Sequence, residues 1–174
     1  MSTPDGSPTA DEAVVVVPAG RPILEAAGWV GHACWAELRF HEVLTGWIAV
    51  EADDEAVARL WSLRSGAAAR AEAWNARLPE LREMPRPDFV VPSSHDVETW
   101  FVALDRSAAD GDVDRSIAAE VVVEALRRGY VTQQAVAVGT ADAPVARTLA
   151  EAIASLDAPD HVAVLPAGLV PALP

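Results

Sequence analysis

Three prolines fall within MPRPDFVVPSS, residues 84–94, and no helix survives that spacing, because each removes a backbone N–H and clashes with the preceding turn. The stretch divides the chain into two halves, and each half reads as paired helices. Ahead of it, Pro22 stands where a first helical turn tolerates its missing N–H and opens an apolar-periodic segment that runs to about Val50. A turn at Glu51-Ala52-Asp53 leads to Asp54 and Glu55, acids suited to a helix N-terminus, and a second segment runs to about Glu83. So short a connection makes these two helices antiparallel neighbours. Behind the break, Ser93 with Asp96 three residues on opens a short helix over about 95–108. After the acidic turn ADGDVD, two further helices run over about 113–138 and 143–156, the first stopped by Gly139 and the second carrying Pro144 in its first turn. Fully extended at ~3.3 Å per residue, the stretch 84–94 spans roughly 35 Å, a helix length, so it can carry the chain from one end of the helices to the other.

The chain has 174 residues, 51% of them hydrophobic, enough to bury one core, and the helices place that domain at 19–158. Residues 1–18 begin Pro-, Ser-, Gly- and Asp-rich and end in VVVVP, the composition of a disordered or strap-like tail. Residues 159–174 form an apolar, Pro-rich tail expected to pack on the helices or on a partner. All 13 basic residues are Arg, which excludes Schiff-base lysines and the P-loop lysine. The net charge of −13 repels phosphate and anionic lipid headgroups, so neither nucleic acid nor a membrane surface is an expected partner. The only early apolar run, Val14–Val17, is too short for a signal h-region or a membrane span, and the expected location is cytoplasmic. The lone Cys34 permits no internal disulfide, and the four His lack zinc-site spacing.

On a helical wheel, Ile23, Val30, Cys34, Phe40, Leu44 and Ile48 all fall within roughly 60° of Glu37, which puts a carboxylate in the middle of an apolar stripe. His41, one turn on, shares that face. An isolated carboxylate there must be neutralised, paired or metal-bound. In the second helix, a wheel centred on Glu72 gathers Val57, Trp61, Ser65, Ala68, Ala69 and Asn75 and sends Arg59, Arg70 and Arg77 to the far side, so Glu72 is expected to point inward and the three Arg outward. Arg64 flanks that face as a candidate counter-ion. The third long helix leaves Glu120 and Glu124 opposite its apolar stripe, solvated, with Glu124 pairing Arg128.

Inward Glu residues on the first two of four helices, with WAELRFHEVLTGW (35–47) and AEAWNARLPELRE (71–83), resemble the ferritin-like superfamily, and within it a group of actinobacterial ferritin-like proteins. The resemblance implies an all-α, antiparallel four-helix bundle with a long crossover between the second and third helices, one short extra helix and non-helical tails. Active di-iron members place a Glu on each of two helices and a Glu-x-x-His on each of the other two. Glu37 and Glu72 match the first pair. No Glu here has a His three residues on, so the di-iron set is degenerate.

What remains is Glu37, His41 and Glu72, with Cys34, Trp61, Arg64 and Asn75 as pocket candidates. Three readings are open for this group: a metal-free polar core, a single Fe, Mn or Zn ion, or metal-free acid/base chemistry. The leading expectation is a bundle without a cofactor, serving as a binding or assembly module. It would form a homodimer or meet a protein partner through its apolar tails and Trp35, which falls near the polar side of its helix, and it could hold a small molecule. The alternative is an enzyme on the residual pocket, either a metal-dependent oxygenase or hydroxylase or an acid/base catalyst. Trp29, Trp47, Trp61, Trp74 and Trp100 read as core fillers, Cys34 as a small buried hydrophobe, and His32 and His95 as surface or helix-start residues. His161 lies in the tail.

Overall fold

Residues 20–157 are described in the computed structural model, and within them the chain folds as helices with no strand. The expectations for the 1–18 and 159–174 tails, including His161, lie outside the described residues. The helices are α1 (Ile23–Ile48), α2 (Asp54–Asn75), α3 (His95–Ala109), α4 (Arg115–Gln134) and α5 (Ala143–Leu156), with short 3-10 turns at Arg86–Phe89 and Thr140–Asp142.

Local chemistry sets most of these ends. Asp53 caps α2 by accepting from the Glu55 amide at 2.8 Å, and Asp114 caps α4 through the Ser116 and Ile117 amides. Ser94, one residue beyond the expected Ser93, caps α3 through the Val97 amide. The turn between α1 and α2 is tied off by Glu51, whose side chain accepts from the Ala52 and Asp53 amides and pairs with Arg115 at 2.9 Å. That hydrogen bond to Arg115 is the main reason the Glu51 carboxyl titrates below its ordinary value. Two helices are shorter than their periodicity suggests. The second stops at Asn75 rather than near Glu83, because Pro79 disfavours helical geometry in the residue before it and the chain tightens into a turn at Arg77 and Leu78. The fourth stops at Gln134 instead of Val138, beyond which β-branched Val136 and Val138 are exposed and gain no packing from a helix.

Side-chain pairs fix the directions. Thr45 with Arg64, Glu37 with Arg70, and Trp29 with Trp74 show that α1 and α2 are antiparallel. Glu51 with Arg115 and Glu37 with Tyr130 run α4 antiparallel to α1, and therefore parallel to α2. Arg127 with Asp157 and Arg70 with Ser155 return α5 against both α4 and α2. One core, from Ala27 and Val30 through Phe40, Leu44, Leu60 and Leu63 to Leu126 and Leu149, is shared among these helices.

The chain crosses from the end of α2 to the start of α4 differently from the sequence expectation. The Pro-rich segment does not stretch end to end. It folds its 3-10 turn against the first half of α1, where the Val91 carbonyl lies 3.0 Å from His32 Nδ1. Helix α3 then makes the crossing, with Phe101 against Trp35 and Asp105 accepting from Trp47 Nε1 at 2.8 Å further along α1. Prolines forbid helix only locally, and the residues after Pro92 are free to form one. Because α3 lies over that flank of α1, Trp35 is half-buried, edge-on to Phe101 with centroids 5.7 Å apart. No described helix is long and apolar enough to cross a membrane.

Gly31 lets the crossing segment touch α1: a Cβ there would overlap the Phe89 carbonyl. Gly31→Ala should therefore force the segment off α1 and destabilise the fold by about 1–3 kcal/mol, measured by urea unfolding. An unchanged midpoint would mean that this contact does not form.

Candidate functional site

Glu37 is 0% exposed, and all of its partners are charged or polar side chains from other helices. Arg70 on α2 grips it in fork geometry, Nε donating to Oε1 at 2.7 Å and Nη2 to Oε2 at 3.0 Å. From α4, Tyr130 donates its hydroxyl to Oε1 at 2.6 Å and in turn accepts from Trp74 Nε1 at 3.1 Å. The remaining Arg70 nitrogen, Nη1, reaches Ser155 on α5 at 3.3 Å. Four helices thus meet on one polar centre, walled by Trp74 and Tyr130, with the Trp29 ring edge-on to both.

Burial governs the protonation of this centre. It would push the Arg70 guanidinium down, but the Glu37 charge and hydrogen bonds outweigh it and hold Arg70 above its ordinary value. Burial, then the Glu37 charge, pushes Tyr130 well above the usual phenol range. The Cys34 thiol, donating to the Ala71 carbonyl at 3.5 Å, is pushed by burial and by Glu37 from 9.0 to about 11. It is a buried hydrophobe at neutral pH, as its place on the stripe implied.

The expected Glu37, His41 and Glu72 group does not come together. Glu72 is exposed, and the inward face of α2 is Leu60, Leu63, Ala67, Arg70, Ala71 and Trp74. The wheel was right in its period and wrong in its phase by about half a turn. The observed face buries Leu60, Leu63 and Trp74, more apolar surface than Val57 and Trp61 with the small and polar residues beside Glu72 would, and the one charge this carries inward, Arg70, is met by Glu37. Arg59 and Arg77 are exposed as expected. Leu60, Leu63, Ala67, Arg70/Ala71 and Trp74 already show helical spacing in the sequence, and a buried Glu37 demands a cation; together those two signals single out Arg70. Tyr130, the chain's single tyrosine, carries no comparable signal.

His41, half-buried, and Glu72 instead line a groove of about 380 Å³ on the outer side of α1 and α2, with Cys34, Leu38, Ala68, Ala71, Asn75 and Val90. Trp61 and Arg64 lie outside it. Trp61 is 48% exposed and no core filler, and Arg64 lies 4.6 Å over its ring while donating to Thr45 at 2.8 Å. Glu120 is buried, not solvated, in a run where Ala118–Val123 are all buried. Glu124 pairs with Arg128 at 2.6 Å.

The donor set does not fit the metal centre implied by the ferritin-like resemblance. Both Glu37 oxygens are engaged by Arg70 and Tyr130, Glu72 faces away, and among the described residues no three His, Cys, Asp or Glu converge to hold an ion. In comparisons with protein-family models, curated proteins and solved structures, nothing matches the chain.

Two outcomes check this centre. Glu37→Ala leaves a buried cation unpaired and should cost about 3–5 kcal/mol in urea unfolding, whereas Glu37→Leu with Arg70→Met should recover most of it. Equal losses in both variants would remove the ion pair as the cause. Cys34 and Tyr130 are both held protonated in the folded state, so their contribution is present below about pH 9 and lost as pH rises through the folded values. Stability should fall between pH 9 and 11, and Cys34→Ala should flatten that fall.

Proposed function

We propose that the chain is a ferritin-like four-helix bundle that works without a metal and serves as a binding or assembly module. The observation that carries this reading is the Arg70 fork on Glu37. A buried carboxylate needs a positive charge, and in a di-iron bundle the metal supplies it; here a guanidinium does so from the neighbouring helix. The direction of the helices supports the bundle, since α2 and α4 run parallel and must be joined by a connection that crosses their length.

An enzyme on a joint Glu37, His41 and Glu72 pocket loses its geometric support. The first is sealed by Arg70 and Tyr130, while the other two line a surface groove with no hydrogen bond or ion pair from their side chains among the described residues.

Metal analysis after expression with Fe, Mn or Zn supplied should find no stoichiometric ion, and chelation should leave the melting temperature unchanged. Stoichiometric metal that disappears in Glu37→Ala would overturn the proposal. In Arg70→Met, a metal gained at Glu37 would show the guanidinium occupying a site that a metal can take.

A further inference from the structure

Three loose ends lie on one outer stripe of α2. Trp61 is half exposed, although a ring of that size is normally covered. Arg64 has no carboxylate partner among the described residues, only Thr45 and the Trp61 ring. Glu72 has no cation partner among the described residues, and it lines a groove together with Leu38, Ala68 and Val90.

Their spacing is symmetric. Trp61 and Asn75 lie equally far before and after Ala68, as do Arg64 and Glu72, and all five fall within about 40° of one line along the helix. A two-fold axis through Ala68, setting α2 antiparallel to another α2, would bring Arg64 level with the partner's Glu72 and Trp61 level with the partner's Asn75. Contact of this kind is isologous, so each pairing occurs twice. Exposed Ser65, Ala68 and Ala69 leave room for two helices to approach closely.

We propose that this face of α2 is a self-association surface, and that the occupant of the groove beside Glu72 is the Trp61 ring of a second copy of the chain. The proposal rests on reading the chain as an assembly module and names its partner. Charge favours this occupant: a chain of net charge −13 repels its own copies over most of its surface, whereas here a guanidinium and a carboxylate, neither of them ion-paired among the described residues, stand in self-complementary register. An indole flanked by a guanidinium also matches a concave, largely apolar groove whose polar lining is the Glu72 carboxylate, the Asn75 amide and the His41 imidazole.

Sedimentation equilibrium across a concentration series tests this on the full chain. The expected result is a monomer–dimer equilibrium in which Arg64→Glu and Glu72→Arg each weaken association by about tenfold or more, while the double variant carrying both exchanges restores it. Trp61→Ala should weaken it as well. Far-UV circular dichroism checks that each variant folds. If a charge variant does not, Ala68→Cys decides in its place: under oxidised glutathione it should cross-link two chains, whereas Ala58→Cys, exposed but off the stripe, should not. A chain that stays monomeric, or a dimer indifferent to the single exchanges and to the site of the cysteine, overturns the proposal. A metal-free monomer would remove this interface and leave the arginine-closed centre standing, while stoichiometric metal at Glu37 would do the reverse.

Discussion

A carboxylate cut off from water must find its countercharge inside the protein, and Glu37 finds one in the Arg70 guanidinium 2.7 Å away. Such a pair gains little net stability, because desolvating both ions offsets most of their attraction. Its effect is on alternatives. Sliding α1 against α2 by one turn would bury both charges unpaired, and shifting α4 would strand the Tyr130 hydroxyl. The pair therefore selects one register for three helices at once, and the fork geometry of arginine, which needs both carboxylate oxygens in one plane, narrows it further. The crossing segment, the Gly31 contact and the seating of α3 all follow from where α1 and α2 are held.

Much of this was legible in the chain. The five helices lie in the expected order and close to the expected starts, although α2 and α4 end short of their periodicity, and the neighbours of Glu37 alone mark it as buried. What failed was the phase of α2. Its residues 66–73 are a glycine, six Ala or charged residues and another Ala, so its apolar contrast is weak, and anchoring the wheel on a carboxylate rather than on Leu60, Leu63 and Trp74 turned the helix over. Tyr130 was invisible for another reason. No local pattern links residue 130 to residue 37; only the antiparallel packing of α4 on α1 brings them together. The path of the crossing escaped too, since prolines state where a helix cannot be and say nothing of where the chain goes.

A guanidinium and a metal ion are unequal substitutes. A metal at the centre of a helical bundle draws ligands from several helices, usually carboxylates and imidazoles, and each must be deprotonated. Arginine brings its own charge and asks for a single carboxylate. The shortage of histidine in this chain is thus consistent with the way its interior is neutralised, and the further partners of the pair are hydroxyls, Tyr130 on Glu37 and Ser155 on Arg70.

The same economy restricts how the sequence can drift. With one acid and one base as the whole charge inventory of the centre, neither can be replaced first without leaving the other stranded, so any lineage that loses the pair has to pass through a poorly folded intermediate or change both residues together. Positions 37 and 70 should therefore behave as one hereditary unit although 33 residues separate them, while position 130 has freedom to exchange tyrosine for other ways of closing the pocket.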